Sequence, residues 1–364
     1  MNDTIRSRVQ RRWRWLRSQF SRPRVAARVA LKVAYRLKLT HVPWLPVTLD
    51  VEPNNDCNFK CPHCQVTHWA KSRVHIGREL FDRILDQFPR LAGVKLQGMG
   101  EPLLNKELLP MLRAGEARGT PMSFISNGSV MTPAIAQQLA GLRSTNIKFS
   151  IDGATAAVFE RIRVGGNFEK VCENVRRLVR LRGDARRPAI EVWTVVTKEN
   201  AGELPDIVRL AKDLGVDAVT FQLFVSDWGK SEMKRYAEAA RVRSADPHVE
   251  ALLGQAQHVA DVVGMPLKVY RANFLSREKP CRWPWTSAYV ASNGDVVPCC
   301  IVADSDTVRM GNVFEQPFGE IWNGPAYRQL REQIRSHQLP SFCHNCYGET
   351  PPAVVIQAAS LRGS

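Results

Sequence analysis

The 364-residue chain contains no run of eighteen or more uncharged apolar residues, so its sequence excludes a membrane-spanning helix. Past residue 43 it also has no low-complexity linker. Nine cysteines are too few to staple a chain of this length as a small disulfide scaffold, and most stand in tight groups rather than spread out as bridge partners. Metal or cofactor ligation is therefore the leading reading of them. Acidic residues are almost missing from the first forty positions, where Asp3 alone faces twelve arginines and lysines. With basic residues interrupting every apolar stretch there, no secretory h-region forms. What is present is ordinary for a globular protein: 44% hydrophobic residues and a length that suggests two domains, or one barrel with an appendage.

Within the basic arm, Arg28, Lys32 and Arg36 fall four residues apart, and Val29, Val33 and Leu37 fill the adjacent row, which is amphipathic helical spacing over Val25–Leu39. Four readings fit it: an anionic membrane surface or lipid-linked substrate, a phosphate-rich partner, a solvated helix packed on the main domain, and a transit peptide, against which stands the scarcity of serine.

Beyond Pro46 the pattern alternates between short apolar runs and helical stretches. Strands are expected at Val47–Val51, Val94–Gln97, Met122–Ser126, Ile147–Ile151, Ile190–Val196 and Ala218–Leu223. Amphipathic segments separate them, such as Leu108–Ala117, Phe168–Leu181 and Leu204–Leu214. Six strands alternating with helices imply an α/β fold of parallel βα units, a partial TIM-type barrel whose chemistry belongs on the loops after the strands.

The loop after the first strand carries Cys57, Cys61 and Cys64 in a C-x3-C-x2-C pattern. Three thiolates can ligate three irons of a [4Fe–4S] cluster and leave the fourth open to a chelating ligand. A zinc site completed by His63, His68 or His75 is the competing reading.

This spacing on the first βα loop resembles the radical S-adenosylmethionine (SAM) superfamily, and the next loops agree with it in order. Gly98-Met99-Gly100-Glu101-Pro102 resembles the family's glycine-glycine-glutamate-proline loop, with Met99 where the first of the two glycines is usual. Glycine permits close approach of backbone to a ligand, and a carbonyl edge with a carboxylate can receive the ammonium of a methionine moiety. Ser126-Asn127-Gly128 and Ser150-Ile151-Asp152-Gly153 resemble positions that contact the ribose and amino-acid end of SAM. Arg163 resembles the arginine that pairs with the SAM carboxylate, a task suited to a guanidinium fork. His63 stands where the family has an aromatic residue beside the adenine; a solvent-facing imidazole is the other reading.

The last third holds Cys281, Cys299 with Cys300, and Cys343-His344-Asn345-Cys346. This layout resembles the SPASM extension, or its shorter twitch relative, although the further cysteines of a full SPASM set are missing after Cys346. The resemblance implies one auxiliary [4Fe–4S] cluster held by Cys281, Cys299, Cys343 and Cys346, with Cys300 as the alternative to Cys299. A structural four-cysteine zinc is the competing reading. Cys172 reads as a small buried hydrophobe.

The expected organisation is an arm at 1–43, a barrel at 44–270, a cysteine-rich SPASM/twitch domain at 271–350 and a tail at 351–364. By resemblance, SAM is cleaved to a 5′-deoxyadenosyl radical that takes a hydrogen from a sugar-like, cyclitol-like or anionic lipid-linked small molecule. The result is a two-electron oxidation whose electron leaves through the auxiliary cluster. Flavodoxin or ferredoxin is the expected electron donor, and the cytoplasm, with the membrane surface as a further station, the expected location. A peptide maturase or RNA-modifying enzyme is the alternative, and the short, strand-poor arm argues mildly against a leader-guided peptide. A non-catalytic zinc protein is the alternative of another class, though it leaves the loop series unexplained. No unique proton acceptor emerges; Glu191 and Asp227 lie on the right kind of element without a motif behind them.

Overall fold

A computed structural model describes residues 23–69, 71–242, 246–271 and 275–347. The first 22 residues of the arm and the tail at 351–364 lie outside them.

The six expected strands form, each within two residues of its expected bounds: β1 (Thr48–Val51), β2 (Gly93–Leu96), β3 (Met122–Ser126), β4 (Thr145–Ser150), β5 (Ala189–Val195) and β6 (Ala218–Leu223). They pair in parallel in chain order. Two further parallel strands extend the row. β7 (Leu267–Arg271) pairs with β6, and β8 (Ser287–Val290), from the cysteine-rich third, pairs with β1. Antiparallel β9 (Asp295–Val297) and β10 (Gly311–Asn312) finish that side, so the order is β10-β9-β8-β1-β2-β3-β4-β5-β6-β7 and the barrel is partial.

Side chains alternate across this sheet. Leu49, Val94, Leu96, Phe124, Ile147, Phe149, Val192 and Phe221 are buried in the main apolar core, under helices such as Leu108–Ala117, Phe168–Arg182 and Leu204–Leu214. The intervening positions line the inside of the barrel and are polar: Asp50, Lys95, Lys148, Glu191 and Lys268 form a chain of charges. Buried Asp50 accepts a hydrogen bond from Gln97 and lies 3.9 Å from Lys95 Nζ. Burial, only partly offset by that lysine, pushes its carboxyl up to about 6.

The N-terminal helix runs Pro23–Arg36, slightly earlier than its expected span. Ala27, Leu31 and Ala34 are buried, and Tyr35 donates to the Pro280 carbonyl and meets the Trp285 ring edge-on. Arg24 donates to the Gly119 carbonyl. No helix among the described residues is long and apolar enough to cross a membrane.

Candidate active site

At the C-terminal ends of the strands lies a cavity of about 260 Å³. The cysteine loop supplies one wall, with Cys57, Phe59, Cys61, His63 and Cys64. The loops after β2, β3 and β4 add Gly98–Glu101, Ser126, Asn127 and Ser150, and Arg163 joins them from the end of the helix Ala156–Ile162. Pro102 and Asp152 do not line it.

The three thiols stand together. Burial first, then their mutual charge, raises all of them, to about 11 for Cys57 and about 12 for Cys64. Buried thiols so placed ionise only beside a strong positive charge, and the structure supplies part of it: Arg163 Nη1 lies 3.9 Å from Cys61 Sγ. A metal cluster suits this donor set.

Asp152, expected to touch the cofactor, sits beneath it instead. Its fully buried carboxylate accepts from the Val195 amide and pairs with Arg163 Nε at 2.6 Å. Burial opposes the arginine's charge, but Asp152 outweighs it and drives the guanidinium further toward its charged form. Asp152 is thus a positioning group. His63 is buried, its Nδ1 without a hydrogen-bond partner, and burial followed by the Arg163 charge lowers its imidazole to about 4. It is neutral and wall-forming, not solvent-facing.

Glu101 also departs from expectation. Its carboxylate accepts from the Leu103 amide, the Ser126 hydroxyl at 2.7 Å and the Asn127 amide at 2.6 Å, so it clasps the second loop to the third rather than waiting for an ammonium group. The Asn127 side chain is likewise engaged, with Asn58 and Ser129. The close approach that the glycines permit is to the protein itself. A Cβ on Gly98 would meet the Glu52 side chain at 2.2 Å, and one on Gly100 would meet the Asn54 carbonyl at 2.4 Å.

Glu52 carried no sequence signal beyond an acid closing an apolar strand. Buried, it accepts from the Met99 amide, the Tyr289 hydroxyl and both the amide and hydroxyl of Ser292. One carboxylate therefore joins β1, the second loop and β8. Also unforeseen in the cavity wall are Gln97, Trp193, Gln222, Ser226, Tyr289 and Cys300, alongside Trp228, which donates to the His63 carbonyl. Glu191 and Asp227 do not line the cavity: Glu191 is held among Lys148, Lys268 and Asn146.

Cys281, Cys299, Cys343 and Cys346 form a second group. Burial raises each, and the three others stand among the charges that raise Cys343 further. Cys299 and Cys300, adjacent in sequence, diverge, for only Cys300 lines the cavity. Among the described cysteines none is disulfide-bonded.

A partial parallel barrel with one triple-thiol loop at its mouth and a four-thiol group on an appended extension defines an iron–sulfur enzyme class. The chain belongs to the radical SAM superfamily, which it matches at residues 51–211, and its extension matches the SPASM iron-sulfur cluster-binding domain at 281–347. The cofactors of this family are a [4Fe–4S] cluster and SAM, with auxiliary iron–sulfur in the SPASM domain. The chain is 28% identical over 322 residues to the tungsten-containing aldehyde ferredoxin oxidoreductase cofactor-modifying protein of Pyrococcus furiosus, covering 82% of this chain and 86% of the relative. It is 27% identical over 317 residues to the AdoMet-dependent heme synthase of Methanosarcina barkeri, covering 80% and 85%. Against the mycofactocin maturase MftC of Mycobacterium ulcerans it is 26% identical over 323 residues, covering 87% and 86%. Streptococcus suis SuiB bound to precursor peptide SuiA shares the fold with a TM-score of 0.65 at 17% identity, over 82% of this chain and 70% of that one. BtrN in complex with AdoMet and 2-DOIA shares it with a TM-score of 0.51 at 18% identity, over 83% and 93%.

Proposed function

We propose that this enzyme oxidises a peptide, as a maturase, at the cavity between the cysteine loop and β8. The observation that carries the reading is that one cavity gathers Cys57, Cys61 and Cys64 with Arg163 on one side and Tyr289 and Cys300 from the cysteine-rich third on the other. Support for a peptide comes from relatives named as maturases of mycofactocin and from a fold shared with a protein bound to its precursor peptide.

When bound, the cluster and SAM supply a carbon radical that takes one hydrogen atom from the substrate. The chain's own residues do the rest. Cys57, Cys61 and Cys64 hold the cluster. Arg163, fixed by Asp152, presents a guanidinium to the SAM carboxylate, and Ser150 offers a hydroxyl beside it. Neutral His63 offers Nδ1 and a ring face to the adenine. Phe59, Met99, Val195, Phe224 and Trp228 exclude water from the reacting centre. Cys281, Cys299, Cys343 and Cys346 hold one auxiliary cluster, whose four protein ligands leave it no site for substrate.

A second reading, oxidation of a small ring molecule, is favoured by one specific feature: the four-thiol set has no fifth partner after Cys346. Anaerobic turnover with SAM and a reductant, against a panel of short peptides and of aminocyclitols, separates the two. Peptide-dependent formation of 5′-deoxyadenosine, with a peptide product lighter by a pair of hydrogens, supports the maturase. Stimulation by cyclitols alone overturns it.

A further inference from the structure

We infer that the N-terminal helix is a docking face for an anionic phospholipid bilayer, and that it holds the barrel with the active-site cavity at the end remote from the lipid. On the helix Pro23–Arg36 one side is fixed to the protein through buried Ala27, Leu31 and Ala34. The other side carries two parallel rows. Val29, Val33 and Leu37 are 37%, 44% and 66% exposed, and Arg28, Lys32 and Arg36 are exposed beside them. Leu37 belongs to the same surface because its amide donates to the Val33 carbonyl and continues the helical turn. Three aliphatic side chains aligned in water against three cations are costly as a solvated face and match a headgroup layer: phosphates meet the cations and the acyl boundary takes the aliphatics.

The sequence that enters this helix has the same chemistry. Residues 1–22 hold seven arginines against Asp3, with Trp13, Trp15, Leu16 and Phe20 among them. Nucleic acid would use the charge but has no surface for a row of aliphatics, which is why lipid is the occupant. The orientation follows from what the helix rests on. Arg24 donates to Gly119, just ahead of β3, and Tyr35 packs on Trp285, just ahead of β8, so the helix sits at the N-terminal ends of the strands. The cavity is at their C-terminal ends. A docked enzyme therefore receives its substrate from the aqueous side, not from the bilayer.

Vesicle flotation of the full-length, cluster-loaded protein tests this. Phosphatidylcholine vesicles with about a third phosphatidylglycerol should carry the protein up, and pure phosphatidylcholine should not. The double variant Val33→Ser/Leu37→Ser, which leaves every charge in place, should partition about tenfold more weakly while keeping its iron content and circular dichroism. Equal flotation of that variant, no flotation of the parent, or preference for a structured RNA competitor over the anionic vesicles would each overturn the inference.

Discussion

At the residue scale, the site is built more from support than from contact. Asp152 and Glu101, the two acids expected to meet the ligand, spend their oxygens on this chain, one fixing Arg163 and the other tying Leu103, Ser126 and Asn127. Asp152→Asn should leave iron content unchanged and weaken SAM binding by about tenfold or more, since the guanidinium loses both its charged partner and its aim. Equilibrium dialysis of SAM against the loaded variant reads this; unchanged affinity would mean that Arg163 is held without Asp152. Gly98→Ala places a methyl group against Glu52 at a separation no Cβ tolerates. It should cost about 1–3 kcal/mol, read as a lowered thermal midpoint, by prising Glu52 from Met99, Tyr289 and Ser292. The cysteine spacing and the order of the loops were legible in the sequence because each is local. The work of Glu52 was not, because its partners Met99 and Ser292 are 47 and 240 residues away.

At the scale of elements, six strands were legible because each is a short apolar run between turns, yet two neighbours escaped. β7 alternates Lys268, Tyr270 and Arg271 with only two aliphatics and is largely exposed, so it has no apolar signature. β8 joins the sheet through β1, more than two hundred residues earlier, and no local pattern reports that pairing. The polar inner face of the barrel is a third feature that alternation in the strands hints at and only the fold resolves. It has a pH signature. The Asp50 carboxyl is pushed up to about 6 by burial, so the folded state holds its proton where the unfolded chain releases it. Its contribution to stability is fully present below about pH 4 and is lost as pH rises through about 6, a change of about 3 kcal/mol. Thermal midpoints of the parent and Asp50→Asn, followed from about pH 4 to 7, should therefore diverge in favour of the variant as pH rises. Parallel curves would show that Lys95 already keeps the carboxylate ionised.

At the scale of the molecule, the cysteine-rich third is continuous with the barrel. β8 pairs with β1, Glu52 binds Tyr289 and Ser292, and buried Asp304 is paired with Lys71 and Lys230 from loops after β1 and β6. The cavity wall thus has contributions from both matched regions, and neither is a detachable accessory. The N-terminal helix, seated on Trp285, adds a third part to the same body. The family was readable from motifs in register. The peptide reading was not, since it rests on relatives rather than on any residue, and the length of the arm pointed the other way.

The central claim is that two distinct thiol sets each hold an iron–sulfur cluster, with Cys299 rather than Cys300 in the second. Iron, sulfide and zinc per chain, after anaerobic reconstitution, test it in the parent, in Cys57→Ala/Cys61→Ala/Cys64→Ala, in Cys299→Ala and in Cys300→Ala. The account predicts about eight irons in the parent and in Cys300→Ala, and about four in each of the other two. Zinc in place of iron, or loss of iron in Cys300→Ala with retention in Cys299→Ala, would contradict it.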